Sequence, residues 1–181
     1  MFNKLWVAIL ILFLPLNIFS AQFSADIEVT SEGKLYQKGK IYVNNVQRRI
    51  EMSDMGNEKS VMIIDIKENK GYILIEDEKS YTELGDISAF LQNENQLKSI
   101  KATTLGSEKI DGLSCKILQN DLGSGVKQRY WYAEEVDFPI KIETQLNDKE
   151  YSITRYKNIK IGALNKELFK IPRGYKKVTS H

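Results

Sequence analysis

Apolar and polar positions alternate along most of this chain with a period of two. Between Lys34 and Val43, Leu35, Ile41 and Val43 share one parity with Gln37 and Gly39. Lys34, Tyr36, Lys38, Lys40 and Tyr42 share the other. Side chains alternate across a strand, so the pattern predicts a strand with one mostly apolar face and one basic, aromatic face. Gly39 lies inside it, where glycine marks a bend or bulge. Asn44-Asn45 suits a two-residue hairpin. The next strand sets Val46, Arg48, Ile50 and Met52 on one face and Gln47, Arg49 and Glu51 on the other. A turn over 55–58 leads to Val61-Met62-Ile63-Ile64, and a second over 68–71 leads to Tyr72-Ile73-Leu74-Ile75. Both runs are apolar on both parities, which predicts strands covered on two sides or with a second face that touches something apolar. Connections this short make an antiparallel meander.

The same alternation precedes and follows this block. Phe23, Ala25, Ile27 and Val29 alternate with Ser24, Asp26, Glu28 and Thr30. Beyond Ser80–Leu84, the segment from Asp86 to Ile100 changes period. Asp86 is a good N-cap, and Ile87, Phe90, Leu91 and Leu97 fall near one helical face. This is the one main α-helix the sequence predicts. From Thr103 the strand pattern returns. Asp111-Gly112 and Asn147-Asp148 mark hairpins, and Pro139 suits the start of a strand. Asn165 to Phe169 predicts one helical turn. The sum is a mainly β fold: a strongly curved antiparallel sheet of about ten strands, a half-barrel, with one main α-helix on its concave side.

Residues 1–21 stand apart from this pattern. Lys4 precedes an apolar run from Leu5 to Phe19, and Ser20-Ala21 offers small residues for cleavage. That is the form of a secretory signal peptide, and the run is shorter than the roughly 20 residues a membrane span needs. The expected organisation is therefore a signal peptide over 1–21, one domain over 22–176 and a frayed Lys-rich tail over 177–181. The expected location is the periplasm, with no membrane-spanning segment in the processed protein.

Composition narrows the chemistry. The 181 residues carry a formal net charge of +2 with charges interspersed, which gives no nucleic-acid patch. Cys115 is the only cysteine, so no intramolecular disulfide can form. It reads as a small buried apolar residue. The only histidine is His181, so His-based triads and His metal sites are absent. Glu134-Glu135 and Glu76, Asp77 and Glu78 sit where turns are expected, which makes them solvated turn charge. No catalytic residue, metal ligand or cofactor is expected, and the chain reads as a non-enzyme.

Several motifs carry a family resemblance. The stretches FSADIEVTSEG, QKGKIYVNNVQRRIEM and SVMIIDIKENKGYILI, closed by YKNIKIGALNKELFKIPRGYKKV, resemble the LolA/LolB-like periplasmic lipoprotein carriers. The set GLSCK, YWYAEEVDFPIK and LFKIPRGY looks like the secreted DUF4412 branch of that superfamily. The resemblance implies a curved sheet over helices with an apolar cavity between. It also implies an arginine on an early strand that reaches the covering helices. Arg48 matches by parity, with Arg49 the alternative if a bulge shifts the face. The carriers have a helix before the first strand, whereas this chain enters its sheet at Phe23.

Three readings of function follow. An apolar cavity would bind a lipid or the acyl chain of a lipoprotein, lined by Phe23, Ile27, Leu35, Ile41, Val43, Ile50, Met52, Ile63 and Leu74, with Arg48, Phe90 and Leu91 as lid contacts. These side chains equally suit an ordinary closed core. The alternative is an envelope protein-interaction or sensor module with a closed core and no small ligand. Tyr130, Trp131 and Tyr132 beside an acidic loop, and Tyr36 and Tyr42 on the basic face, are its candidate anchors.

Overall fold

A computed structural model describes residues 22–54, 59–87 and 102–179. The described residues form a single open, curved sheet of twelve strands. The first six are β1 (Phe23–Ser31), β2 (Lys34–Val43), β3 (Gln47–Asp54), β4 (Lys59–Asp65), β5 (Lys70–Ile75) and β6 (Ser80–Leu84). The next five are β7 (Thr103–Ile110), β8 (Leu113–Gly123), β9 (Val126–Ala133), β10 (Phe138–Leu146) and β11 (Lys149–Ile161). A 3-10 turn at Lys166–Phe169 precedes β12 (Lys176–Lys177).

The spatial order is β12-β6-β5-β4-β3-β2-β1-β11-β10-β9-β8-β7. Two antiparallel meanders, β1 to β6 and β7 to β11, are thus joined where β1 pairs with β11. The meanders follow from short turns whose residues accept a positive φ. Asp111-Gly112 has φ of 49° and 87°, and Asn147-Asp148 has 51° and 62°. Both match the two-residue hairpin geometry read from the sequence.

Residues directly opposite one another in a ladder share a face. Ile41 faces Ile50, which faces Met62. Tyr42 faces Arg49, which faces Ile63. The two rows lie on opposite faces, and each face has its own core. Phe23, Ala25, Ile27, Ile41 and Val43 pack with Cys115, Trp131, Phe138 and Ile140 on one face. Val61, Ile63 and Leu74 pack with Tyr72, Tyr81, Ile171 and Tyr175 on the other. We call these the Phe23 face and the Tyr72 face. In β4, Val61 and Ile63 are buried on one face and Ile64 on the other. In the Tyr72–Ile75 run of β5 only Leu74 is buried, with Ile73 half-buried and Ile75 exposed on the Phe23 face.

The C-terminal segment covers the Tyr72 face. Asn165 caps its 3-10 turn by accepting from Glu167 N at 3.0 Å. Phe169 is buried, and Arg49 on β3 donates to the carbonyl of Leu168 at 3.3 Å. Lys176–Lys177 then pairs in parallel with Ser80 and Tyr81 of β6. Val178 N donates to Tyr81 O at 2.9 Å.

Three expectations change, and a fourth lies outside the described residues. The sheet has twelve strands instead of about ten. Lys177 and Val178, expected to fray, are held by the backbone groups that β6 leaves open at its edge. The link between β2 and β3 is not a two-residue hairpin. Asn44 accepts from Val46 N at 3.0 Å and Gln47 N at 2.7 Å, which keeps Val46 in the turn and exposed. The predicted helix over 86–100 lies outside the described residues except for Asp86 and Ile87. Among the described residues there is no α-helix.

Candidate functional site

A groove of about 510 Å³ opens on the Tyr72 face where β1 to β4 lie side by side. Two ladder rows build it. In the first, Asp26 pairs with Lys40, Lys40 with Glu51, and Glu51 with Val61. In the second, Glu28 pairs with Lys38, Lys38 with Ser53, and Ser53 with Lys59. Charge alternates in sign along the first row, which suits cross-strand neighbours. Val61 and the backbone around Gly39 form the base, and Glu76 closes one end.

Gly39 lets β2 and β3 close up beneath the groove, its missing side chain lying on the Phe23 face beside Met52. A Cβ there would lie 1.9 Å from the carbonyl oxygen of Glu51 and 2.8 Å from Met52 Sδ. The strands approach so closely that only glycine fits.

The groove charges divide into paired and unpaired groups. Glu28 accepts from Lys157 at 2.5 Å. Glu51 accepts from Arg49 Nε at 2.6 Å. Lys40 lies 4.0 Å from Asp26. Lys38, Lys59 and Glu76 have no ion pair among the described residues. Among the described residues the groove therefore presents two unmatched ammonium groups and one unmatched carboxylate over a partly apolar base.

The apolar positions singled out in the sequence do not line one hollow. Phe23, Ile27, Ile41 and Val43 are at most 4% exposed and pack in the Phe23-face core. Ile50 and Met52 lie half-buried beside them. Ile63 and Leu74 belong to the opposite face. Leu35 is 42% exposed. Val29 faces Gln37 and Thr30 faces Leu35, so Tyr36 is an extra residue that separates Leu35 from the parity of Ile41 and Val43. Phe90 and Leu91 lie outside the described residues.

The arginine pair divides between the faces. Arg48, in the row of Val43 and Ile64, lies on the Phe23 face and donates through Nη1 to Asn44 O, and to Gln47 O at 3.1 Å. Arg49 lies on the Tyr72 face and holds the C-terminal turn.

Other candidates are structural. Tyr130 and Trp131 are buried. Trp131 Nε1 donates to Glu108 at 2.6 Å, and Lys141 Nζ sits 3.7 Å from the indole centroid. Lys141 and Arg129 lie 3.5 and 3.8 Å from buried Glu143. Tyr132 donates to Asp137. Glu134 meets Lys116 at the exposed surface. Burial pushes the Cys115 thiol up from its ordinary pKa, and its Sγ donates to Leu113 O at 3.5 Å. No group of three or more His, Cys, Asp or Glu able to hold a metal occurs among the described residues.

Sequence reasoning missed the groove. Its signal was present in the basic face of β2 and the acidic positions of β1 and β3. Their juxtaposition required the register.

Among curated proteins none matches this sequence. The family model for DUF4412, a domain of unknown function, matches residues 24–137. An uncharacterized conserved protein from Thermus thermophilus is similar in structure at 11% identity, with a TM-score of 0.66, covering 89% of this chain and 91% of that one. The MucA/MucB complex from Pseudomonas aeruginosa holds a chain similar at 10% identity and a TM-score of 0.58. That likeness covers 83% of this chain and 55% of the other, so this chain spans about half its length. The LolA superfamily protein NE2245 from Nitrosomonas europaea has 14% identity and a TM-score of 0.40, covering 83% of this chain and 89% of its own. At these identities the first two likenesses are of fold.

Proposed function

The chain belongs to the DUF4412 family, and from that premise we propose that it is a non-enzymatic binding module of the bacterial envelope whose groove beside Gly39 holds an extended segment of a partner protein. One observation carries this reading. The open groove is lined by charge and floored by backbone and Val61, whereas the strongest apolar candidates are packed against one another in the core. Lys38 and Lys59 would meet carboxylates of the segment, and Glu76 a cation. Backbone groups and Val61 would hold the stretch between them. Rim charges of this kind set partner choice and encounter rate more than affinity. The signal-peptide pattern of residues 1–21 supports the envelope location. The fold shared with a chain of the MucA/MucB complex supports a protein partner.

Native mass spectrometry of the protein isolated from its own envelope tests this. A polypeptide adduct is expected, and it should be lost in the Lys38→Glu/Lys59→Glu variant. A polypeptide adduct that survives both substitutions removes the groove from the reading.

A second reading has its own observation. Ile50, Met62 and Ile73 form a ladder row of half-buried apolar side chains on the Phe23 face. An acyl chain laid along that row would gain about 0.8 kcal/mol per buried methylene. A phospholipid or acylated adduct, unaffected by the lysine substitutions, would select this reading.

A further inference from the structure

Three alternate ladders contain a bulge near the same end of the sheet. In β2, Tyr36 is skipped between the pairs Val29–Gln37 and Thr30–Leu35. In β11, Tyr151 is skipped between Thr144–Ser152 and Gln145–Glu150. In β8, Leu122 is skipped between Asp121–Lys127 and Gly123–Val126. Each extra residue is large and apolar or aromatic. Each is exposed, at 59%, 48% and 50% respectively.

A bulge re-aims a side chain out of the alternation of its strand. Turning one such side chain to solvent needs no explanation, but three on one rim form a surface. The strands concerned run in the order β2-β1-β11-β10-β9-β8. Their hairpin turns at 32–33, 147–148 and 124–125 all lie at that end. Five inter-strand spacings of roughly 4.8 Å make the row about 24 Å long. Leu35, next to Tyr36 on β2, and Leu146, on β10 between the bulged strands β11 and β8, add exposed apolar surface at 42% and 43%.

We propose that this rim is a docking edge for the surface of a phospholipid bilayer. The side chains stand on hairpin ends and project, so they suit insertion into a soft acceptor. Tyrosine places an apolar ring and a polar hydroxyl at the depth of the headgroups. The charges at these hairpin ends are Lys34, Lys127 and Lys149 against Glu32, Asp121, Asp148 and Glu150, three positive and four negative. Lys127 donates to Asp148 at 2.7 Å. A rim this close to neutral, offering both signs, complements zwitterionic headgroups. An anionic surface would call for a basic cluster. The rim is distinct from the groove, and the inference does not rest on the partner reading.

Flotation with vesicles of phosphatidylcholine tests it, using the protein and the Tyr36→Ser/Leu122→Ser/Tyr151→Ser variant purified identically. The protein should float with the vesicles, with little dependence on salt. The variant should partition at least about tenfold less, since three apolar contacts are removed. Its near-ultraviolet circular dichroism should keep its overall shape because none of the three is a core residue. Where the triple variant does not fold, Tyr36→Ser and Leu122→Ser are measured singly and each should weaken flotation. The Lys38→Glu/Lys59→Glu variant should float as the parent does. Failure of the parent to float, or equal flotation of the rim variants, overturns the proposal. So does binding that needs added phosphatidylglycerol and vanishes in salt, which is charge adsorption. A dimer in sedimentation equilibrium that the rim substitutions dissolve, without vesicle binding, assigns the rim to a second copy of the chain and also overturns it.

Discussion

Arg49 donates to the carbonyl of Leu168 at 3.3 Å, tying the middle of the sheet to a turn 119 residues later in the chain. The guanidinium side chain is 13% exposed and also donates to Glu51 at 2.6 Å. Arg49→Leu therefore removes a charge-assisted bond and leaves Glu51 without this partner. The expected loss is about 1–3 kcal/mol. Urea unfolding measures it, and amide exchange over 166–178 should accelerate more than over β8 to β10. Uniform acceleration would show that the contact does not hold the C-terminal segment specifically.

Gly39→Ala places a methyl group on the carbonyl of Glu51. Backbone cannot move aside as a side-chain tip can. The substitution should cost about 3 kcal/mol or more, lowering the urea midpoint. It should also weaken partner binding, since β2 and β3 must separate along the groove.

Phe138 touches two rings on the Phe23 face. Its centroid lies 5.3 Å from Phe23 and 5.1 Å from Tyr156, both edge-on. Phe138→Ala should destabilise by about 3–5 kcal/mol through lost transfer energy and an unfilled cavity. Chemical denaturation reads this directly. A loss under about 1 kcal/mol would mean that the neighbouring rings collapse into the space.

Lys177 donates to Glu83, and this bond holds the Glu83 carboxyl below its ordinary value of 4.5. The same contact, first through the hydrogen bond and then through charge, raises the Lys177 ammonium above 10.5. A depressed carboxyl contributes stability that is full above the unfolded pKa and lost as pH falls through the folded one. The raised ammonium contributes below its unfolded pKa and loses that as pH rises through the folded one. Docking of β12 should therefore be constant around neutral pH and loosen first in acid. Protection of the Val178 amide, corrected for intrinsic exchange, should fall below pH 4.5. Because both groups are exposed, added salt should reduce the effect.

Asn120 is 4% exposed, and its amide makes no well-aligned hydrogen bond among the described residues, its nearest polar neighbour being the Tyr130 hydroxyl. It faces Gln128, which instead accepts from the Tyr130 hydroxyl at 2.5 Å. A buried unsatisfied amide is costly. Asn120→Leu, similar in volume, should be neutral or stabilising by about 1–2 kcal/mol in thermal or urea unfolding. A marked loss would show that the amide is satisfied, by the Tyr130 hydroxyl or by bound water.

Much of the fold was legible because its signals are local. Alternation from Phe23 to Val29 and over Ile41 and Val43 marks strands through the pleat itself. Asp111-Gly112 and Asn147-Asp148 mark turns through the φ values they tolerate. The doubly apolar run of β4 is buried on both faces, whereas in β5 Ile75 stays exposed. The site was less legible. Ile63 and Leu74 were grouped with Ile41 because all are apolar, but only the β3–β4 register puts Ile63 on the other face. Leu35 shares a parity with Ile41 in sequence, and a bulge at Tyr36 breaks that parity in space. Nothing in a pair of lysines says that they will complete a sheet edge as β12 does.

The sequence alone determined that this chain makes β-strands, where most of them turn, and that its one cysteine has no second thiol to pair with. Those properties depend on residue type and spacing over a few residues. Tertiary structure decided which face each strand presents, which charges share the groove beside Gly39, and which bulged side chains line up on one rim. Those depend on the register between strands distant in the chain, and a shift of one residue would exchange every inward side chain for an outward one.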